Sequence, residues 1–353
     1  MFQSKQSRWV IALIAVIMAV SVLGGCGKSN KVLATYKDNS EVTQAEFDTF
    51  LNVNGALNPQ YKQVMDDPTI RNYMLEQYIG YKMLAARADD AMKAEADKLV
   101  NTQMEQIKLF LGAQEGGLDK QLKDNKIKLE DIENLMKWSF YSVAVEEKEI
   151  TDEQIKAEYD NMLTEDKHYF DVTTVRHILI GVKDTVKDPT GKTDLRTFDE
   201  ALARAKEVED KLKAGGDFDA LAKEYSDDPG SKDKGGKYEN LNYGDMNNMV
   251  PEWKDAAMSL PVGQLSGPVK TDYGYHIIRV DSRKVSTVDE MKDSIRSGLA
   301  QMKVQDFVEK EVPGLILTNN LPSPTPEPSA TPAASTTPAP ATESPAPTAT
   351  PNP

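Results

Sequence analysis

The pattern of apolar residues changes twice along the chain, and these changes limit the folds that it can adopt. From Thr43 to about Met162, and again from Thr287 to about Phe307, apolar residues recur at helical spacing. Between them, from about Val172 to Val280, short β-rich runs alternate with paired glycines and two helical patterns. The amphipathic helix after Thr287 needs an apolar partner, which the earlier helices can supply. We therefore predict an α+β fold in which a compact domain is inserted into a discontinuous helical one.

Three capping boxes predict where helices begin: Thr43 with Glu46, Thr151 with Gln154, and Thr287 with Glu290. In each pair, the two side chains satisfy backbone N–H groups that the first helical turn leaves unpaired. The region from Thr69 to about Phe140 stays helical, with a break between Gly112 and Gly117. Its Met and Tyr stripe predicts core packing. The alternative is an exposed surface that binds unfolded chains, for which flexible Met side chains are suited.

The N-terminal residues have the order of a secretory signal. Lys5 and Arg8 precede an apolar run from Trp9 to Val20, and Leu23-Gly24-Gly25-Cys26 follows. This ending resembles the lipobox at which bacterial lipoproteins are diacylated on Cys and then cleaved. We expect residues 1–25 to be removed and Cys26 to anchor the protein to the lipid bilayer, on the extracytoplasmic face of the cell membrane. The alternative, an uncleaved transmembrane anchor, would need a longer apolar run.

Cys26 is the only cysteine in the chain, which limits the available chemistry. No intramolecular disulfide can form, so the core alone must hold the exported fold. Once Cys26 is acylated, no thiol remains for cysteine catalysis or for a Cys-rich metal site. The formal net charge of −14 makes nucleic acid an unsuitable partner.

The C-terminal residues 321–353 are almost entirely Pro, Thr, Ser and Ala. Such a segment cannot bury enough apolar surface to offset the entropy that ordering would cost. We expect a disordered, partly polyproline spacer, and one role for it is to reach into the cell wall.

A series of short motifs in the β-rich segment resembles one enzyme family. In chain order they are Arg176-His177-Ile178-Leu179, Phe218-x-x-Leu221-Ala222-x-x-Tyr225-Ser226, Gly235-Gly236, Gly244-Asp245-Met246, Val250-Pro251-Glu252-Trp253, Gly267-Pro268-Val269 and Tyr273-Gly274-Tyr275-His276-Ile277-Ile278. Each motif alone is weak, but the ordered series resembles the parvulin family of peptidyl-prolyl cis-trans isomerases. With a lipobox in front and helices on both sides, the chain also resembles the PrsA-type foldase lipoproteins. Their flanking helices are similar to the chaperone modules of SurA and trigger factor.

The reaction that this resemblance implies needs little machinery. Rotation of an amide removes its double-bond character against a barrier of roughly 18 to 20 kcal/mol. No bond is broken, so we expect no cofactor, no metal and no nucleophile. An apolar slot for the proline ring, together with polar groups that favour the twisted amide, would suffice.

The resemblance also implies which residues take these roles. The expected catalytic residues are His177, Asp228, Tyr273 and His276, and the expected slot residues are Trp253 with Met246 or Met249. The two histidines lie on the first and last strands, which are adjacent in the parvulin fold, so their imidazoles could share a proton. Asp228 takes the position where the family has a Cys or Asp beside the reacting amide, and Tyr273 could complete the hydrogen-bond network.

Each of these residues also has a structural interpretation. The histidine pair could be a buried hydrogen-bonded bridge. Asp228 lies just before Pro229-Gly230 and could cap a turn, and Trp253 could be ordinary core. The remaining histidine, His168, is expected at the surface.

The sequence departs from the parvulin pattern at two places. Lys237-Tyr238-Glu239-Asn240-Leu241 stands where parvulins usually show Asp-Leu-Gly-Trp-Phe, and Asn247-Asn248-Met249 is an insertion at the rim of the expected slot. The loop from Lys183 to Arg196 lacks a clustered basic pair. We therefore expect no requirement for a phosphorylated residue before proline.

These observations predict a signal peptide (1–25), an N-terminal helical chaperone domain (26–171), a parvulin-type domain (172–282), a C-terminal helix packed on the N-terminal domain (283–320) and the tail (321–353). The expected function is a membrane-anchored foldase that isomerises Xaa-Pro bonds in exported proteins. The alternative is an ATP-independent holdase whose parvulin domain is weakly active or inactive. A solute-binding lipoprotein would need a two-lobe α/β pattern. The expected partners are unfolded or newly exported polypeptides, and the helices could also pair two copies as a homodimer.

Overall fold

The computed structural model describes residues 31–184 and 193–323. Cys26 with the signal-like segment, residues 185–192 of the loop before Arg196, and the tail from residue 324 lie outside the described residues. Within the described ranges, no helix is both long and apolar enough to cross a bilayer.

The described residues form twelve α-helices and seven strands. The helices are α1 Gln44–Leu57, α2 Pro68–Ala85, α3 Asp90–Gly112, α4 Gly117–Asp124, α5 Leu129–Lys148, α6 Asp152–Glu165, α7 Phe198–Lys213, α8 Phe218–Tyr225, α9 Tyr243–Asn247, α10 Pro251–Ser259, α11 Val288–Asp306 and α12 Val312–Leu315. The strands are β1 Val32–Tyr36, β2 Ser40–Thr43, β3 Asp171–Gly181, β4 Lys237–Leu241, β5 Val269–Thr271, β6 Gly274–Val285 and β7 Ile316–Asn319. Two small antiparallel sheets result, with strand orders β2-β1-β7 and β4-β3-β6-β5. The predicted α+β class is confirmed.

The local signals in the sequence specify the helix starts. All three predicted capping boxes are present, at Thr43, Thr151 and Thr287, and a fourth, unpredicted box at Thr197 begins α7. The helical region up to residue 148 has more breaks than the single one predicted. It is divided into α2, α3, α4 and α5 because short turns follow Ala85, Gly112 and Asp124.

The chain separates into two units, and the first comprises residues 31–82, 102–136 and 308–323 of the described chain. Its sheet joins β1 to β2 on one side and to β7 on the other. Phe47 and Phe50 of α1 pack against Tyr78 of α2, with the Phe50 and Tyr78 ring centroids 5.1 Å apart in an edge-to-face arrangement. Aromatic packing of this kind anchors the α1 and α2 helices to each other.

The second unit comprises residues 83–101, 137–184 and 193–307 of the described chain. Side chains of its sheet β4-β3-β6-β5 alternate between two faces, as strand geometry requires. One face packs Ile178, Ile180 and Ile277 against α7 and α8. The other face packs Val175, Ile278 and Val280 against α9 and α10. His177 and His276 share the face that carries Val175 and Val280, because they are two and four residues away from them along β3 and β6.

Helices α6 and α11 pack together in the same unit. Ile155 of α6 shares a buried cluster with Met291 and Ile295 of α11. At the surface, Lys292 donates to Asp152 at 2.6 Å. The amphipathic helix that the sequence predicted after Thr287 thus finds its apolar partner on α6.

Candidate active site

The two histidines of the sheet form a stacked, hydrogen-bonded pair. β3 and β6 are antiparallel neighbours, and their register pairs His177 with Ile278 and Leu179 with His276. The two imidazoles therefore lie diagonally across the strand pair, with centroids 5.3 Å apart and planes within 11° of parallel. Their Nδ1 atoms are 3.1 Å apart, and both side chains are buried. The expected proximity of His177 and His276 is confirmed.

Gly236 allows the backbone segment just before β4 to approach His177 closely. The backbone N–H of His177 donates to the Gly236 carbonyl at 2.8 Å. Gly236 has φ +73°, and a Cβ there would lie 2.2 Å from the His177 carbonyl oxygen. Only glycine combines this left-handed conformation with this close approach. The Gly235-Gly236 motif thus fixes the backbone from which one catalytic candidate projects.

Asp228 lies on the outer side of the histidine pair, in the segment that follows α8. Its Oδ2 is 2.9 Å from His177 Nε2, and it accepts hydrogen bonds from the hydroxyls of Ser231 and Tyr238. Its Oδ1 accepts the backbone N–H of Gly230 at 3.1 Å. The turn-capping role and the role beside the histidine, which the sequence offered as alternatives, are thus taken by different oxygens of one carboxylate.

The donors around the pair determine where its protons lie. Trp253 Nε1–H, which can only donate, points at His177 Nδ1 from 3.2 Å. His177 Nδ1 is therefore an acceptor, and its proton is on Nε2, where it donates to the Asp228 carboxylate. It follows that His276 donates from Nδ1 and accepts at Nε2, where the Thr271 hydroxyl lies 2.9 Å away. The site is a single chain of hydrogen bonds running from Thr271 to Asp228.

The pKa values of His276 and Asp228 are both lowered, for different reasons, which leaves the histidine neutral and the carboxylate charged. Burial lowers the pKa of His276 to about 3, and the neighbouring His177 adds to this effect, so His276 is neutral at physiological pH. Burial alone would raise the pKa of Asp228. Hydrogen bonds from His177, Ser231 and Gly230 outweigh it and hold that pKa well below its usual range. The site thus combines a neutral imidazole with a fixed carboxylate.

The apolar part of the site lies beside the pair, on the same face of the sheet. Trp253 of α10 and Met246 of α9 are each 2% exposed and pack with Leu241 at the end of β4. Met249, from the insertion, is partly buried against the same cluster. Trp253 and Met246 therefore form the floor of this region, while Met249 lies nearer the solvent.

Two side chains differ from the prediction. Tyr273 lies in the two-residue connection between β5 and β6, so its side chain is 50% exposed. It joins the network only through its backbone N–H, which donates to Thr271 Oγ1 at 3.2 Å. His168, expected at the surface, is partly buried, and its Nδ1 lies 2.6 Å from Asp171.

Three network residues, Ser231, Tyr238 and Thr271, escaped the sequence prediction. Ser231 lies three residues after Asp228, and Thr271 lies five residues before His276 across a tight hairpin. These short separations were the available signal for both. Tyr238 had no such signal, because it reaches Asp228 from strand β4 and replaces a residue type that has no hydroxyl.

The described parts of the loop before α7 hold two cations, and both have carboxylate partners. Lys183 pairs with Asp194. Arg196 pairs with Asp227, whose Oδ2 also accepts the Gly181 N–H at 3.0 Å. Among the residues that the structure describes, no group of three or more His, Cys, Asp or Glu side chains is arranged to hold a metal ion.

Comparison with known proteins places the site inside a recognised domain. Residues 161–284 match the PPIC-type PPIASE domain family, and this range includes His177, Asp228, Trp253 and His276. The chain is 31% identical over 304 residues to foldase protein PrsA 4 of Bacillus cereus, covering 86% of this chain and 88% of the relative. It is also 31% identical over 313 residues to foldase protein PrsA of Geobacillus kaustophilus, covering 86% and 92%.

Solved structures with related sequences carry similar descriptions. A peptidylprolyl isomerase (PrsA) from Bacillus anthracis is 27% identical, with 68% of this chain and 94% of that chain covered, at a TM-score of 0.30. A foldase protein PrsA from Streptococcus pneumoniae is 21% identical, with 78% and 90% covered, at a TM-score of 0.41.

Proposed function

Because the chain belongs to the PrsA foldase family and carries a PPIC-type peptidyl-prolyl isomerase domain, we propose that it is a lipid-anchored foldase outside the cytoplasm. In this proposal, Cys26 holds it at the membrane, and it isomerises Xaa-Pro bonds in proteins that have just been exported. The observation that carries the proposal is the network from Thr271 to Asp228, built around the two stacked histidines beside an apolar floor.

The geometry supports two contributions of this site to isomerisation, one from its apolar residues and one from Asp228. The proline ring lies over the apolar floor of Trp253, Met246 and Leu241, and Met249 contacts its exposed side. The Asp228 carboxylate is fixed beside the amide carbonyl. Its negative charge disfavours the resonance form with negative oxygen and positive nitrogen, which is the form that gives the amide its double-bond character. The twisted amide lacks that resonance, so the site favours it over the planar amide.

The isomerase activity is tested with an unphosphorylated Xaa-Pro peptide and the protein comprising residues 26–353. We expect activity above the uncatalysed rate in the parent protein. We expect a loss of roughly tenfold or more, at least about 1.4 kcal/mol in barrier height, in His177→Ala and in Asp228→Ala. The matched control is Val262→Ser, an exposed position in the same domain, which should retain activity. A parent protein with no activity would remove the proposal.

The anchoring is tested separately by replacing Cys26 with Ala. We expect the parent chain to fractionate with membranes and Cys26→Ala to be released, because a lipid chain contributes about 0.8 kcal/mol of membrane affinity per buried methylene. Equal membrane retention of the two chains would contradict lipid anchoring through this residue.

A second candidate function, the ATP-independent holdase, is favoured by one observation on α3. Leu109 and Phe110 are adjacent near its C-terminal end and are 68% and 48% exposed. Contiguous exposed apolar surface is a feature of sites that bind other proteins. We expect Leu109→Ser with Phe110→Ser to reduce suppression of client aggregation while peptide isomerisation stays unchanged, and Val262→Ser to affect neither. Unchanged suppression would reject this surface as a client site.

A further inference from the structure

Tyr238 occupies a position at the active site that the family pattern does not supply. It is the second residue of β4 and pairs with Val175 of β3, two residues before His177. Its ring centroid lies 5.4 Å from that of His177 and 6.4 Å from that of Trp253, nearly perpendicular to the indole. Two aromatic neighbours from different elements thus restrict the Tyr238 ring, and its hydroxyl has a defined direction.

That direction leads to Asp228. The Tyr238 hydroxyl donates to Asp228 Oδ2 at 3.1 Å. The space for it comes from Gly230, where a Cβ would lie 2.8 Å from the Tyr238 hydroxyl oxygen. Gly230 does not have a positive φ, so its backbone conformation is open to other residues. A larger residue at this position would displace the tyrosine hydroxyl.

Three donors converge on the same carboxylate oxygen. His177 Nε2 lies 2.9 Å from Asp228 Oδ2, and the hydroxyls of Ser231 and Tyr238 also donate to it. Ser231 is itself within 3.0 Å of His177 Nε2, so it can draw the histidine proton away from the carboxylate. Tyr238 approaches from β4, and its hydroxyl donates to the carboxylate. It therefore restrains rotation of the Asp228 side chain in a way that Ser231 cannot.

The hydroxyl remains a donor throughout the physiological pH range. Burial raises the pKa of Tyr238 to about 12, and the charge of Asp228 contributes in the same direction.

We propose that Tyr238 is a positioning residue, whose hydroxyl fixes the Asp228 carboxylate so that Oδ2 faces His177 Nε2. Tyr238 acts through Asp228 and holds the His177 proton on Nε2, which keeps the histidine pair polarised in one direction. The proposal rests on the proposed isomerase function of the same site. It assigns a role to the segment Lys237-Tyr238-Glu239-Asn240-Leu241, where this chain departs from the parvulin pattern.

The first test compares Tyr238→Phe with a matched control in the protein comprising residues 26–353. Tyr238→Phe removes only the hydroxyl and keeps the ring against His177 and Trp253. The control is Tyr275→Phe on β6 of the same sheet, whose ring packs on the opposite face. We expect Tyr238→Phe to lower kcat on an Xaa-Pro peptide by about three- to tenfold with little change in KM, and Tyr275→Phe to change neither. A Tyr238→Phe variant within twofold of the parent would overturn the proposal.

The second test separates an effect through Asp228 from a general structural effect. In an Asp228→Asn background, removal of the Tyr238 hydroxyl should change kcat by less than about twofold, because the group it acts through is already altered. An equal loss in both backgrounds would show that Tyr238 acts independently, and the proposal would fail.

A third readout does not depend on catalysis. We expect the His177 Nε2–H proton, observed by NMR, to exchange faster with water in Tyr238→Phe and to be unchanged in Tyr275→Phe. An unchanged exchange rate in Tyr238→Phe overturns the positioning role even if the parent is an active isomerase. An inactive parent with the expected exchange rates would instead reject the proposed function and leave the role of Tyr238 intact.

Discussion

The close approach of Gly236 to His177 allows a quantitative test of how the site is built. Replacement of Gly236 by Ala introduces a Cβ at a residue with φ +73° and places it 2.2 Å from the His177 carbonyl oxygen. The chain also contains Gly263, which has φ +83° but where a Cβ would meet no other atom within 4 Å. The two substitutions share the conformational cost and differ only in the contact.

The expected magnitudes follow from this difference. A left-handed conformation costs a non-glycine residue about 1–2 kcal/mol, and this is the whole effect expected for Gly263→Ala. In Gly236→Ala the chain must also move away from β3. That movement breaks the buried hydrogen bond from the His177 N–H to the Gly236 carbonyl, at an additional cost of about 1–3 kcal/mol. We therefore expect Gly236→Ala to lose about 2–5 kcal/mol of unfolding free energy.

Urea unfolding followed by tryptophan fluorescence measures both variants. Residues 26–353 contain two tryptophans, Trp138 and Trp253. A Trp138→Phe background leaves only Trp253, which lies in the core beside His177. Gly267→Ala, with open space and no positive φ, should stay within about 0.5 kcal/mol of the parent. If Gly236→Ala costs no more than Gly263→Ala, the contact with His177 does not constrain the backbone and the reasoning is refuted.

Three further predictions concern the chemistry of the site. Trp253→Phe keeps most of the apolar volume but removes the donor to His177 Nδ1. We expect this substitution to cost about 1 kcal/mol of unfolding free energy. We also expect it to allow a second His177 tautomer, which ring-nitrogen NMR would detect. Because the pKa of His276 is about 3 when folded and about 6.5 when unfolded, the unfolded state binds the proton first. Stability should therefore fall as pH drops from about 6.5 towards 3, by up to about 1.4 kcal/mol per pH unit, and His276→Gln should show a shallower fall. Lys183 and Arg196 are already paired with Asp194 and Asp227. A phosphoserine-proline peptide should therefore be isomerised no faster than its unphosphorylated form. A strong preference for the phosphopeptide would contradict this prediction.

Local signals predicted the parts of this fold that depend on short-range contacts. The capping boxes at Thr43, Thr151 and Thr287 were correct because both hydrogen bonds of each box join residues three positions apart. α7, from Phe198 to Lys213, lies within the segment where the sequence predicted two helical patterns. The pairing of β1 with β7 had no such signal, because the partner strand is almost at the other end of the described chain.

The site residues that family motifs mark were predictable from the sequence. Residues that join the site through the length and direction of their side chains were less predictable. His177, His276, Asp228 and Trp253 lie together as expected, because strand register and motif order place them. The resemblance implied that Tyr273 could complete the network, but it lies in a tight hairpin connection and its side chain is half exposed. Its backbone N–H contacts the network instead.

The first sheet joins the beginning of the fold to its end. Thr35 of β1 and Thr318 of β7 hydrogen-bond through their hydroxyls at 2.7 Å across 283 residues of sequence. Closing a loop of this length costs about 5 kcal/mol of chain entropy. Synthesis proceeds from the N-terminus, so β1 keeps one unpaired edge until almost the whole chain exists. A chain shortened before residue 316 would keep that edge open, and an open edge is a site for pairing between molecules. Pairing with β7 moves the open edge of the sheet from β1, most of whose residues are buried, to a short strand whose last three residues are exposed.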